Sequence, residues 1–181
     1  MHILAVQGSL RAGSNNRRLL KVVLDHLPVG VTAELYELHN IPLYDGDIEA
    51  KGLPDAVVEF RNKIHHANGI LIATPEYNYS IAGVLKNALD WASRPPQQPF
   101  AGKPVGIVST SSGIYGGVRG QSHLRQVLQY LEAIAMPKPE LIVPQGQAKF
   151  DEAGKLIDEK TLKSLENFVP AFVKWVERLT G

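Results

Sequence analysis

Hydrophobic and polar positions follow two rhythms along this chain. Short β-rich apolar runs occupy Ile3–Val6, Thr32–Leu38, Gly69–Ala73, Val105–Ser109 and Glu140–Val143. Stretches in which apolar residues recur every three or four positions occupy Asn15–Leu27, Asp55–His66, Ile81–Ser93, Gly117–Ile134 and Lys160–Leu179. The first rhythm predicts strands and the second amphipathic helices. The runs at Ile3–Val6, Gly69–Ala73 and Val105–Ser109 are nearly continuous, as in strands covered on both faces of a parallel sheet. The repeated strand–helix alternation predicts a three-layer α/β fold, a five-stranded parallel sheet with helices on both faces and right-handed crossovers. A doubly wound strand order 2-1-3-4-5 places the third strand beside the first. In the last helix, Leu162, Leu165, Val169, Phe172, Val176 and Leu179 form one stripe, too short for a coiled coil and suited to packing on the sheet. Pro170 inside it is expected to kink it locally.

Composition narrows the function. The 181 residues predict one domain, residues 1–181, since a domain typically takes roughly 150 residues. Nineteen Lys and Arg against eighteen Asp and Glu leave a net charge of +1, with no basic excess for general nucleic-acid binding. The absence of cysteine excludes thiolate catalysis, disulfides and every Cys-based metal site, and fits a reducing compartment. No secretory leader pattern precedes the first strand, and no apolar run nears the roughly 20 residues that span a bilayer. The expectation is a cytoplasmic protein without membrane insertion. The six histidines are scattered, and the adjacent His65 and His66 diverge on a helix, so no metal site is expected. Asp45-Gly46-Asp47, within the long loop Asn40–Pro54, reads as a turn. A second long loop, Arg94–Pro104, is proline-rich.

Chemistry gathers at the carboxyl ends of three strands. After the first comes Gly8-Ser9-Leu10-Arg11-Ala12-Gly13-Ser14-Asn15-Asn16, running into a helix. Hydroxyls, an Arg and free amides at a helix N-terminus are the parts of a phosphate cradle, and Ser14 is also a natural N-cap. The segment lacks both the Walker lysine and the dinucleotide Gly-x-Gly-x-x-Gly, which points to a terminal phosphomonoester. After the third strand comes Thr74-Pro75-Glu76-Tyr77-Asn78-Tyr79-Ser80, whose backbone and tyrosines suit the edge and face of a planar heterocycle, with Ser80 able to cap the next helix. After the fourth comes Ser109-Thr110-Ser111-Ser112-Gly113-Ile114-Tyr115-Gly116-Gly117, where glycines permit close backbone approach. Trp91 reads as core or interface.

On these segments, with Lys86-Asn87-Ala88-Leu89-Asp90-Trp91, the chain resembles the NADPH-dependent FMN reductases, in their flavodoxin-like quinone, azo and chromate reductase branch. The resemblance implies that Ser9, Arg11, Ser14, Asn15 and Asn16 hold the FMN phosphate, with the asparagine that reaches it left open. It implies that Pro75, Glu76, Tyr77 and Asn78 line the isoalloxazine ring, and that Ser111, Ser112, Gly113 and Tyr115 approach it from the third loop. It implies hydride passage from NADPH or NADH through FMN to quinones, free flavin, azo compounds or metal oxyanions such as chromate, by a ping-pong mechanism. No catalytic acid or base is needed, because the cofactor carries the chemistry. A homodimer or homotetramer is implied, with Glu76, Tyr79, Trp91, His123 and Arg125 as candidate contacts. The competing readings are a flavodoxin-type electron carrier, which the +1 charge disfavours, and a nucleotide-binding regulatory module without redox activity.

Overall fold

The computed structural model describes residues 1–181. The strands β1 (His2–Gln7), β2 (Thr32–Glu37), β3 (Gly69–Ala73) and β6 (Pro104–Thr110) lie parallel in the order β2-β1-β3-β6. A short hairpin, β4 (Glu76–Tyr77) and β5 (Ser80–Ile81), stands apart from this sheet. The helices are α1 (Asn15–Asp25), the single-turn α2 (Gly46–Glu49), α3 (Asp55–His66), α4 (Gly83–Ala92), α5 (Val118–Tyr130) and α6 (Glu159–Thr180). A 3-10 turn covers Gly146–Lys149.

Strand residues alternate between two cores. Leu4, Val6, Ile70, Ile72, Val105 and Ile107 join Phe60, Leu85 and Leu124, from α3, α4 and α5, on one face. Ile3, Ala5, Leu71, Ala73 and Val108 join Leu19, Leu20, Leu165 and Phe172, from α1 and α6, on the other. Burial of consecutive residues on opposite faces accounts for the unbroken apolar runs. Glycines let α6 settle close to the sheet. A Cβ on Gly69 would come within 2.6 Å of Val176, and one on Gly106 within 2.7 Å of Phe172. The helix runs unbroken through Pro170, which lies on its exposed face.

The fold is the expected three-layer α/β arrangement, with five differences in detail. The fifth strand is divided: β7 (Ile134–Ala135) pairs with the start of β6 and β8 (Leu141–Val143) with its end. The predicted helix reached Ile134 because Leu128, Leu131 and Ile134 continue its apolar spacing. It stops at Tyr130, and Glu132 takes a left-handed φ of 58°. The segment read as a turn at Asp45-Gly46-Asp47 is the start of α2, and the Asp45 carboxylate accepts the Asp47 amide at 2.8 Å. Ser80 does not cap α4. It belongs to β5, and Ala82 precedes the helix without a side-chain cap. Trp91 is fully buried and donates its indole N–H to the Pro42 carbonyl at 2.9 Å, so it is core and not a contact surface.

Candidate functional site

The rim of the sheet is built from chain reversals that must pass close to one another. At the end of β1, the Gly8 amide donates to the Ala73 carbonyl at 2.8 Å. A Cβ there would stand 2.7 Å from that oxygen, so the first loop can leave the sheet at this point only as glycine. The loop then curls over the start of α1. Gln7, wholly buried, donates to the Ser9 carbonyl, and Ser9 Oγ accepts the Arg11 amide at 3.3 Å. Ser14 caps the helix by accepting the Arg17 amide. The amides of Asn15 and Asn16, in the first turn, precede any carbonyl that could satisfy them within the helix.

The two asparagines have different work. Asn16 is buried, its Nδ2 donating to the Thr110 carbonyl and its Oδ1 accepting the Thr110 amide, each at 2.9 Å. It braces the first loop against the end of β6. Asn15 is half-buried in the pocket lining, with none of its side-chain atoms engaged in such a brace.

The second loop is the β4–β5 hairpin. Asn78 and Tyr79 form its turn with φ of 50° and 66°, left-handed values that asparagine accepts and tyrosine rarely adopts. Such strain persists only where neighbouring contacts hold it. Here the Arg119 guanidinium lies 4.1 Å from the Tyr79 ring centroid and 4.3 Å from that of Tyr115. Glu76 turns its side chain away from the groove: its Oε2 accepts the amides of Arg119 and Gly120, each at 2.9 Å. A carboxylate from the hairpin therefore caps the positive end of α5, which has the left-handed Gly117 at its N-cap and no cap of its own. What Glu76 offers the groove is backbone.

The third loop is tied inward. Ser109 Oγ donates to the Gly116 carbonyl, and Gln121 Nε2 donates to Ser109 Oγ and to the Leu141 carbonyl. Its outer part is laced to the turn after β8: the Gln145 amide donates to the Gly113 carbonyl, and the Gly146 amide to that of Ser111. Gly146 sits so close to Thr110 that no side chain would fit.

Between the three loops lies a groove of about 400 Å³. It gathers Ser9, Arg11, Ser14, Asn15 and Asn16 from the first loop, Pro75, Glu76 and Tyr77 from the second, and Ser111 and Ser112 from the third. A second hollow of about 310 Å³ shares Ser9, Arg11 and Tyr77 with it and is walled by Leu10, Ala82 and Val84. One half is thus polar and cationic, the other largely apolar. Three expected residues stand outside both linings: Asn78 at the hairpin tip, Gly113 on the exposed loop, and Tyr115 against Arg119.

The structure also adds Arg18, Thr110 and Gln147 to the groove. Arg18 follows Ser14 by one helical turn, a spacing that places both on one face. No local signal marks Gln147, which reaches the rim only because β8 pairs with β6. Of the candidate subunit contacts, His123 faces Ser80 at 3.1 Å, and Arg125 donates to the Met136 carbonyl and pairs with Glu140 at 3.5 Å.

The family profile described as NADPH-dependent FMN reductase matches residues 1–148. The chain is 47% identical over 179 residues to an NAD(P)H-dependent FMN reductase of Pseudomonas aeruginosa, covering 99% of this chain and 97% of that one. It is 42% identical over 182 aligned positions to a quinone reductase of Escherichia coli, with the same coverage. Among solved structures it superimposes on the flavoenzyme NAD(P)H:(acceptor) oxidoreductase FerB of Paracoccus denitrificans with a TM-score of 0.90 at 35% identity, covering 98% of each chain. With the parallel sheet, the three-loop rim and the matched sequence all in place, this chain belongs to the NADPH-dependent FMN reductase family.

Proposed function

We propose that the groove holds FMN and that the enzyme passes reducing equivalents from NAD(P)H to quinones, free flavin, azo compounds or metal oxyanions such as chromate. The observation that carries this reading is the pairing of a cationic, amide-rich groove with an adjoining apolar hollow that shares Ser9, Arg11 and Tyr77 with it, which matches a phosphate joined to a flat ring. The residues fit the cofactor. Arg11, Ser9, Asn15 and the first amides of α1 suit the phosphate, and Arg18 adds a second cation. Asn15 rather than Asn16 is the side chain available there, because Asn16 is committed to Thr110. The Pro75–Tyr77 backbone, with Ser111 and Ser112 opposite, suits the polar edge of the ring, and Leu10, Ala82 and Val84 beside Tyr77 suit its apolar face. Bound there, FMN would supply the redox chemistry, taking up two electrons from NAD(P)H and passing them on to the acceptor.

The chain's own task is binding, orientation and electrostatics. Amides and Arg11 at the helix N-terminus compensate the phosphate charge. No side-chain acid or base is placed in the groove for proton transfer, and none is required. Leu10 and Tyr77, exposed beside the groove, and Leu43, Tyr44 and Ile48, exposed in the segment packed along α4, suit a contact between copies of the chain in a homodimer or homotetramer. No helix is long and apolar enough to cross a membrane, which is consistent with our assignment to the cytoplasm.

The test is a visible spectrum of the purified protein, followed by anaerobic NADPH titration and then steady-state turnover with a quinone. A yellow protein bleached by NADPH, with parallel lines in double-reciprocal plots, is expected. Binding of FMN without NADPH oxidation would favour an electron carrier. A colourless protein with no thermal stabilisation by FMN would overturn the reading.

A further inference from the structure

Behind the phosphate half of the groove lies a separate cleft of about 870 Å³, between α1, the turn at residues 151–156 and the start of α6. Its charges are unevenly distributed. Arg18, Lys21 and Lys155 line it without an ion-pair partner, and Asp25 is the one carboxylate among its lining residues. A chain with a net charge of +1 has concentrated cations in a concave place, where low-dielectric walls focus the field on an anion. The same cleft has an apolar wall of Val22, Leu156 and Leu162, which an inorganic anion would not need. The turn is held in place at its base, where Lys149 pairs with Asp158 at 2.8 Å, and by the Lys155 amide donating to the Asp151 carboxylate at 2.8 Å.

Arg18 links this cleft to the groove, since it lines both. Gly154 leaves it room: even a Cβ on that residue would stay 3.8 Å from Arg18 Nε. We propose that the cleft is a binding site for a nucleoside phosphate, its phosphate meeting Arg18, Lys21 and Lys155 and its base lying on the apolar wall. Because Arg18 also faces the groove, the two sites share a cation. The shared chemistry has two sources. It is either the adenylate half of a flavin dinucleotide whose FMN half fills the groove, or a free nucleotide beside bound FMN. The link between the sites, though not the cleft itself, rests on the flavin reading above.

Calorimetric titration separates these. FMN-loaded protein is titrated with ADP and, as a control, adenosine. Protein stripped of flavin is titrated with FMN and with FAD. The doubly reversed variant Lys21→Glu/Lys155→Glu, whose positions lie outside the groove, is treated in the same way. A free-nucleotide site predicts ADP binding that adenosine does not reproduce and that the variant weakens at least tenfold, with FMN affinity held within about twofold. A dinucleotide site predicts FAD binding at least tenfold tighter than FMN, an advantage the variant abolishes. The proposal is overturned if FMN binds while ADP does not and FAD holds no advantage, or if the variant leaves both affinities unchanged. Failure of FMN itself to bind would overturn the flavin reading instead, and the ADP titration would still decide the cleft.

Discussion

The first and second loops leave adjacent parallel strands at the same rim, yet they are stabilised in opposite ways. The first loop is held largely by its own groups, Ser9 accepting from Arg11 and Ser14 from Arg17, with long-range ties from the Gly8 amide to Ala73, from His39 to the Leu10 carbonyl and from the Asn16 side chain to Thr110. Arg11 and the first helical amides are left facing the groove. The second loop is held from a distance. Glu76 caps α5, 43 and 44 positions along the chain, and Arg119 returns to cover Tyr79. A polar residue in a binding motif is therefore not automatically a ligand contact. Those spent on joining elements are lost to the ligand, and the backbone they position takes over.

The largest loss is expected where a long-range brace is removed. Asn16→Ala strands both the amide and the carbonyl of Thr110, and a buried unpaired polar group costs about 1–3 kcal/mol. Urea unfolding should show the drop. Unchanged stability combined with lost flavin would reverse the roles given to the two asparagines. Glu76→Ala comes next, since hydrogen bonds to a charged group contribute about 1.5–3 kcal/mol. Glu76→Gln retains the acceptor and should recover most of the melting temperature. If Glu76→Ala instead lowers flavin affinity with no change in melting, the hairpin is not held as described.

Arg11→Ala should do the reverse of Asn16→Ala. Stability should stay within about 0.5 kcal/mol, as for surface changes generally. Flavin binding should weaken by about 1.5–3 kcal/mol, roughly 10- to 100-fold, measurable by fluorescence titration. Asp158 supplies a local counterpart to Glu76, capping α6 from the residue just before it through the Thr161 amide. Hydrogen bonds from Lys149 and from Thr161 hold its carboxyl at about 2, below the ordinary 3.8. A depressed carboxyl stabilises the fold above its ordinary value and loses that contribution as pH falls towards the folded one. Asp158→Asn should therefore be modestly less stable than the parent at neutral pH, with the gap closing between pH 3.8 and about 2. The smallest effect is assigned to Gly113→Ala. Its Cβ would meet nothing nearer than Ser111 Oγ at 4.0 Å, so melting and flavin content should not change.

Much of this protein is legible in one dimension because the responsible forces act locally or periodically. The unbroken apolar runs of β1, β3 and β6 reveal two-sided burial, the stripe from Leu162 to Leu179 reveals α6, and strand–helix alternation reveals a layered parallel sheet, with its strand order taken from the doubly wound fold. The residues of the first groove loop are marked by their chemistry as well as their position. Other features are not legible. The Asn78-Tyr79 turn lacks the glycine that usually announces such a hairpin, and its strain is held by Arg119 from another element. The divided fifth strand depends on which parts of residues 134–143 reach β6. Asn15 and Asn16 are alike as letters and were separated only when α1 docked beside Thr110.

The sequence by itself determined the layers and the rim at which chemistry gathers, because hydrophobic periodicity and turn composition are properties of neighbours along the chain. Only the tertiary structure decided which polar groups at that rim are consumed by the fold and which are left for a ligand. A hydrogen bond is settled by distances between groups far apart in sequence, such as Glu76 with Gly120 or Asn16 with Thr110, and those distances exist only once the layers have packed.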